Sequence, residues 1–156
     1  MTTPIMDLPV TIRPARATDL PEVHRMICAL AAQHGQSATI TPRRLARIAQ
    51  GPAARILVAV RQDSPQTHPV GHVLLLIERN MIAGADWGMV EQLHVQEPDR
   101  RRGIGRALVA AARAEAARCG AAGVTIMTHP CCDGAVLAFR AARPLDVPPA
   151  WGVAAE

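Results

Sequence analysis

The spacing of apolar residues along the chain predicts short strands interspersed with helices. Strands are predicted where apolar and polar residues alternate or apolar residues run together: Val10 to Pro14, Arg55 to Arg61, Val70 to Arg79, Trp87 to Gln96 and Val124 to Met127. Helices are predicted where apolar residues recur at helical spacing: Thr18 to near Gly35, Thr41 to Ala49, Gly103 to Cys119, and Cys132 or Asp133 to Ala142. The order of these elements indicates a mixed α/β fold, in which helices flank a mostly antiparallel central sheet.

The ends and inner faces of the helices follow from particular residues. Thr18 and Thr41 each precede a first turn that contains proline, which is typical of a helix start, and Gly35 and Gly51 mark the helix ends. The residues predicted to face the core are Leu20, Val23, Ile27, Leu30 and Ala31 in the first helix and Ile104, Leu108, Ala111 and Ala112 in the third.

Chain length and hydropathy limit the classes of protein to which the sequence could belong. Because 156 residues is the length of one domain and no linker or repeat divides them, we expect a single domain over residues 1–156. The longest apolar run, Val73 to Ile77, is far too short to cross a bilayer, and no secretory signal is apparent. We therefore expect a cytoplasmic protein, of the bacterial type, without membrane contacts.

Charge and cysteine content exclude further classes. All seventeen basic residues are arginine and the net charge is +4, yet only 2% of residues are aromatic, so the stacking platform of a nucleic-acid-binding protein is missing. Cys28, Cys119, Cys131 and Cys132 form no C-x-x-C pair and no zinc-site spacing. We expect free thiols, no bound metal and no nucleic-acid partner.

The most distinctive segment joins the strand that ends near Gln96 to the helix that begins at Gly103. Three arginines, Arg100 to Arg102, precede the helix, and its first residues include two glycines and Arg106. The backbone N–H groups of a helix start lack intrahelical partners, and the helix dipole adds partial positive charge there. Glycine allows a ligand to approach the backbone closely, and arginine adds charge-assisted hydrogen bonds. The segment therefore predicts a binding turn for a pyrophosphate.

Arg100 to Gly105 resembles the R/Q-x-x-G-x-G/A loop of the GNAT superfamily of acyl-CoA-dependent N-acetyltransferases. The flanking strand and helix, and the element order over residues 10 to about 145, resemble that superfamily as well. The resemblance implies that acetyl-CoA is the cosubstrate, with its pantetheine beside a strand that a bulge splays from its neighbour. The binding residues that it implies are Leu93, His94, Val95, Arg100, Arg101, Arg102, Gly103, Ile104, Gly105, Arg106, Asp133 and Phe139.

Within the superfamily, the sequence is most similar to the diamine acetyltransferases. Thr41 to Leu45 matches their T-x-x-x-L helix, and Glu91 matches the first residue of their Glu-Asp pair. This resemblance implies that an acetyl group passes to a primary amine, of a small molecule or a peptide, by direct attack. Gln92 replaces the second carboxylate, which would attract a polycation, so the identity of the amine stays open. A homodimer also stays open.

Two residues are candidates for the proton transfer that such an attack requires. Glu91 lies in mid-strand among apolar neighbours, where a carboxylate is costly unless it is paired or functional. Its alternative role is a solvated strand residue or a structural ion pair. His94 has a side chain whose ordinary pKa suits proton transfer near neutral pH, and its alternative role is a structural histidine.

The C-terminal part of the sequence departs from the family pattern. The family motif N-x-x-A-x-x-F-Y corresponds to Asp133 to Arg140, in which Phe139 fits but arginine stands where the family has a thiolate-protonating tyrosine. The chain contains no tyrosine at all, so water, Arg140 or a cysteine at 131 or 132 would have to serve the departing thiolate. The alternative function is therefore a catalytically weak acyl-CoA-binding or regulatory domain.

Overall fold

A computed structural model describes residues 9–63, 68–82 and 84–127 of the chain. The strands are β1 (Val10–Pro14), β2 (Ala54–Arg61), β3 (Pro69–Asn80), β4 (Ala85–Val95) and β5 (Val124–Ile126). The helices are α1 (Leu20–Gln33), α2 (Pro42–Gln50) and α3 (Ile104–Arg118). The predicted last helix and the tail after Pro144 lie outside the described residues.

The five strands form one sheet in the order β1-β2-β3-β4-β5. The first four strands are antiparallel neighbours, whereas β5 lies parallel to β4. A parallel pair needs a crossover connection, and α3 supplies it. The prediction of a mixed α/β fold with a mostly antiparallel sheet and flanking helices is confirmed.

Each face of the sheet packs against different helices. On one face α3 contributes Ile104, Leu108 and Ala112 to a core with Val73, Leu75 and Val90 of the sheet. On the other face α1 and α2 contribute Val23, Met26 and Leu45 to a core with Ile56, Val58 and Val60 of β2. Successive residues of a strand point to opposite faces, so the core against which a sheet residue packs shows which face it lies on.

The element bounds differ from the predicted ones mainly at the start of α1 and around β4. Thr18 lies in a 3₁₀ turn, Ala17–Asp19, and α1 begins only at Leu20, so the helix start predicted at Thr18 is wrong, while β4 begins at Ala85 rather than at Trp87. β4 ends at Val95, and a single 3₁₀ turn, Glu97–Asp99, separates it from the arginine-rich loop. Pro98 in that turn lacks the N–H group that a continuing strand would need. Met26 and Val109 are buried although neither was among the residues predicted to face the core. Both helices lie against a broad sheet, so their apolar stripes are wider than predicted.

Thr41 and Gly123 show how local residues fix the ends of these elements. The Thr41 hydroxyl accepts a hydrogen bond from the Arg44 N–H at 3.2 Å and caps α2, as its sequence position predicts. Trp87 packs over Gly123, where an added Cβ would overlap the indole ring, and its indole N–H donates to the Thr125 hydroxyl at 2.8 Å. These contacts seat β5 against β4. None of the described helices is long and apolar enough to span a membrane.

Candidate active site

One extra residue interrupts the pairing of β4 with β3. His72 of β3 lies opposite His94, but Leu74, two residues further along β3, lies opposite Glu91, three residues back along β4. Two residue steps along β3 therefore correspond to three steps along β4, and this one extra residue in β4 defines a β-bulge. Gln92 has a φ of 51°, so it adopts the left-handed conformation that is uncommon for residues other than glycine.

The bulge brings Glu91 and His94 to the same face of the sheet. Residues three apart in a regular strand point to opposite faces. Here Glu91 and His94 lie opposite Leu74 and His72, which are two apart on β3 and so share a face. Leu74 packs against the core beneath α1 and α2, which identifies that face. Both residues proposed for proton transfer therefore lie on the side covered by these two helices, and there Glu91 is half-buried.

Beyond the bulge, β4 directs part of its backbone away from β3. The Gln96 N–H donates to the Val70 carbonyl at 2.8 Å, so Gln96 and, by alternation, His94 face β3. Leu93 and Val95 then face the opposite edge. Within the described residues, β5 pairs with β4 only as far as Val90, whose carbonyl accepts from Met127 N at 2.8 Å. The side chains of Leu93 and Val95 pack against the core beneath α3, so their backbone groups, rather than their side chains, could bind a ligand at that edge.

The loop before α3 has a second unusual backbone. Arg101 has a φ of 64° and Gly103 a φ of 81°. Arg101 and Gln92 are the two non-glycine residues with positive φ in the described chain, and they lie on either side of the end of β4. Such a conformation costs about 1–2 kcal/mol for an L-residue. Strained residues are concentrated at ligand-binding sites, where the surrounding structure holds them in place.

The N-terminus of α3 presents unpaired donors. Ala107 N donates to Gly103 O at 3.0 Å, and Arg100 N donates to Glu97 O at 3.2 Å. Between these two residues, the amides of residues 101–106 find no acceptor in the described chain. A Cβ placed at Gly103 would have nothing within 4 Å, so the loop is open on that side. The unpaired amides, the helix dipole and the arginines fit a pyrophosphate group.

The arginines of the loop differ in their surroundings. Arg100 turns back and its Nε donates to the Val95 carbonyl at 2.9 Å, which occupies one backbone group of the β4 edge. Arg102 lies near enough to Asp63 to lower the pKa of that carboxyl, although the hydrogen bond from Arg61 is the larger cause. Arg101 and Arg106 are exposed. The predicted phosphate-binding arginines thus surround one turn.

Several polar residues that stabilise this region were not predicted as part of it. Asp99 is buried directly before the loop, and its carboxylate lies 3.5 Å from Arg61 at the end of β2. Gln96 links β4 to α1, because its amide donates to the Glu22 carboxylate at 2.5 Å and to the Pro69 carbonyl at 3.2 Å. The sequence signal for Asp99 is weak, since an aspartate in a turn is ordinarily exposed.

The pKa of His94 lies well below that of an exposed histidine. Burial removes water from its ring, and the nearby positive charge of Arg100 adds to the effect, so the pKa of His94 falls to about 4. Its cross-strand neighbour His72 is more deeply buried, and burial with the adjacent His94 lowers its pKa to about 3. Both imidazoles are neutral at pH 7. The low pKa makes His94 a weaker proton acceptor than an exposed histidine.

The remaining residues of the predicted site lie outside the described part of the chain. They are Asp133 and Phe139 of the predicted cofactor site, Arg140 at the tyrosine position, and Cys131 and Cys132. Among the described residues, no group of three or more histidine, cysteine or carboxylate side chains could hold a metal ion.

The chain belongs to the acetyltransferase (GNAT) family, whose family model matches residues 23–140. No protein of curated function matches the sequence significantly.

Solved structures share the fold at low sequence identity. An aminoglycoside acetyltransferase from an uncultured soil metagenomic sample, in complex with sisomicin, is 18% identical with a TM-score of 0.73, over 92% of this chain and 93% of the other. A ribosomal-protein-alanine N-acetyltransferase from Brucella melitensis is 21% identical with a TM-score of 0.69, over 90% and 96%. A transcriptional regulator from Bacillus halodurans is 19% identical with a TM-score of 0.73, over 92% and 96%.

The backbone of the loop before α3 generates a prediction with an internal control. Gly103 and Gly120 lie at opposite ends of α3 with φ of 81° and 82°, and a Cβ at either position would meet open space. Valine at either position should therefore cost a similar roughly 1–3 kcal/mol of backbone strain. We expect Gly103→Val to weaken acetyl-CoA binding in calorimetry at least about tenfold, or 1.4 kcal/mol, and Gly120→Val to leave it unchanged. Equal affinities in the two variants would contradict the loop assignment.

Proposed function

We propose that this chain is an N-acetyltransferase that transfers an acetyl group from acetyl-CoA to a primary amine by direct attack of the amine on the thioester. The proposal includes a single domain, acting in the cytoplasm, with a small-molecule or peptide amine as acceptor. Family membership supports acetyl transfer in general. One observation carries the proposal: the β4 bulge and the unpaired amides before α3 occur together. The bulged strand offers a surface for the acyl chain, and the amides offer one for the pyrophosphate.

The donor would bind chiefly through backbone groups. The amides of Arg101 to Arg106 would receive the pyrophosphate, and the edge of β4 at Leu93 and Val95 would pair with the amide groups of the pantetheine. Arg102 and Arg106 would add charge-assisted contacts to the phosphates. In this arrangement the thioester would lie near the bulge, at the free edge of β4, and an amine that attacks it there would lie close to Glu91.

Glu91 is the proposed general base. An alkylamine has a pKa near 10.4, so on the order of one molecule in 10³ is neutral at pH 7. The amine must lose a proton to expose its lone pair, and Glu91 would accept it, directly or through a water molecule. Among the described residues, Glu91 forms no hydrogen bond or ion pair that would occupy its carboxylate. The neutral His94 on the same face could accept a hydrogen bond from the amine but would hold a proton poorly.

The thiolate of CoA leaves as the tetrahedral intermediate collapses. A thiol with pKa about 8.5 releases a tolerable leaving group, so a tyrosine acid, which this chain lacks, is not indispensable. Water, or the positive charge of Arg140, would then stabilise the departing sulfur.

The acceptor is proposed only as a class. A diamine acceptor is the narrower hypothesis, supported by the match of Thr41 to Leu45 and of Glu91 to the diamine acetyltransferase pattern. Gln92, exposed at the bulge, stands where that pattern has a carboxylate. The loss of this negative charge favours an acceptor with one amine over a polycation, because a second ammonium group would gain less attraction there.

The alternative is a catalytically weak acyl-CoA-binding or regulatory domain. The absence of tyrosine from the chain and the low pKa of His94 favour it. A screen of amines with acetyl-CoA, read out as free thiol, together with calorimetric binding of acetyl-CoA, separates the two functions. The enzyme should bind acetyl-CoA and release thiol faster with at least one amine than without it. Binding without amine-dependent release would favour the alternative.

The role of Glu91 predicts a characteristic pH dependence. Glu91→Gln should lower the acetylation rate about 10²-fold at about pH 7, where the amine must be deprotonated. The loss should shrink to a few-fold at about pH 10, where much of the amine is already neutral. Glu78→Gln, which alters an exposed carboxylate of β3, should leave the rate unchanged. An equal loss at both pH values would indicate substrate positioning instead, and no loss would exclude a role for Glu91.

A further inference from the structure

Apolar side chains adjoin Glu91 on the sheet face that packs against α1 and α2. In the pairing of β3 with β4, Leu74 lies opposite Glu91 and Leu76 lies opposite Met89. Leu74 packs against the core beneath α1 and α2, and side chains two apart in a regular strand share a face. Leu76 and Met89 therefore lie on the same face as Glu91. Together with Trp87, two residues before Met89, they form an apolar strip.

The three side chains of the apolar strip are half-buried. Neither of the two cores of the described chain includes them. The Trp87 indole lies over Gly123, and its N–H donates to the Thr125 hydroxyl at 2.8 Å, so the ring is held in place on this face. The apolar strip thus presents apolar surface beside a carboxylate, which is the composition of a small-molecule site.

Burial decides the direction in which a substituent of the amine can extend from Glu91 along the protein. Across the bulge, His94 and its neighbour His72 are 6% and 1% exposed, so protein fills the space on that side. Toward the start of β4, the next residue on this face is Met89, about 7 Å away along the strand. A substituent that stays on the protein surface therefore lies over Met89 and Leu76.

We propose that the apolar strip binds the substituent of the acceptor, so that the substrate class is primary monoamines that carry an apolar alkyl or aryl chain. This inference rests on the proposed function for the reaction at the amino group. Glu91 receives the ammonium end of such an amine, and the apolar strip receives its chain. Burial of each methylene group against the strip is favourable.

A second ammonium group is poorly served on this surface. At the end of a four-carbon chain it would lie over Met89 and Leu76, where it loses water without gaining a carboxylate. The next carboxylate on this face is that of Glu78, which lies opposite Trp87 at the far end of the strip. Glu78 is four residues from Leu74, or about 14 Å along β3, which is beyond the reach of such a chain.

Straight-chain primary amines test the apolar strip, because their pKa values are nearly equal and only the chain length changes. With acetyl-CoA saturating, kcat/KM should rise about two- to fourfold for each carbon added from ethylamine to pentylamine. Pentylamine should exceed 1,4-diaminobutane, in which an ammonium replaces the terminal methyl group, by at least about tenfold. Equal kcat/KM values along the series, or a preference for the diamine, would overturn the proposal.

Met89→Gln keeps the length of the side chain and makes it polar. It should lower kcat/KM for pentylamine at least about fivefold, while ethylamine and the affinity for acetyl-CoA change less than about twofold. Met81→Gln, the same substitution at a turn residue that is 89% exposed, should change none of these values. An equal loss for both amines in Met89→Gln would indicate a structural role and overturn the proposal. Leu76→Asn, on the neighbouring strand, should give the same pattern and replaces Met89→Gln if that variant does not fold.

Binding separates the failure of this proposal from the failure of the proposed function. Calorimetry of the amines with the CoA complex of the protein needs no chemistry. Pentylamine should bind at least about tenfold more tightly than ethylamine to the wild-type protein, and Met89→Gln should reduce that difference. If this pattern appears while no amine is acetylated, the proposed function fails and the apolar strip is supported. If the two amines bind alike or not at all, another part of the chain or a second copy covers the strip, and the proposal is overturned.

Discussion

In a regular strand, Glu91 and His94 would point to opposite faces of the sheet, because residues three apart alternate. The extra residue at Gln92 removes that alternation and brings both side chains to the face beneath α1 and α2. It also sets the edge of β4 that carries the backbone groups of Leu93 and Val95. The proposed base and the proposed acyl-chain surface thus both depend on one bulge, which explains why a backbone conformation that costs energy is retained there.

The second constraint is the positive charge at the start of α3. Positive charge from three arginines and the helix dipole accumulates there in the free protein. Asp63 lies near Arg102 and pairs with the neighbouring Arg61, which the buried Asp99 also approaches. A ligand with two phosphates would complete the neutralisation. Burial keeps His94 neutral in the same region, which agrees with the proposal that Glu91 receives the proton.

Much of the fold follows from periodicity, whereas the site depends on a break in it. The positions of the described strands and helices follow largely from apolar spacing and from caps such as Thr41. The family resemblance implied a bulge in this strand but not its position, which follows from the packing: Val90 and Leu93 both lie beneath α3 although they are three apart. The low pKa of His94 and the burial of His72 and Asp99 could not be predicted, because burial depends on tertiary packing rather than on residue type.

Amide hydrogen exchange, followed residue by residue with and without acetyl-CoA, tests most directly whether the bulged edge of β4 receives the donor. Leu93 and Val95 should gain protection of at least about tenfold when acetyl-CoA is saturating, since their N–H groups face the free edge. His94 and Gln96, which face β3, should exchange slowly in both states and change little. Unchanged exchange at Leu93 and Val95 in the presence of bound acetyl-CoA would contradict this account.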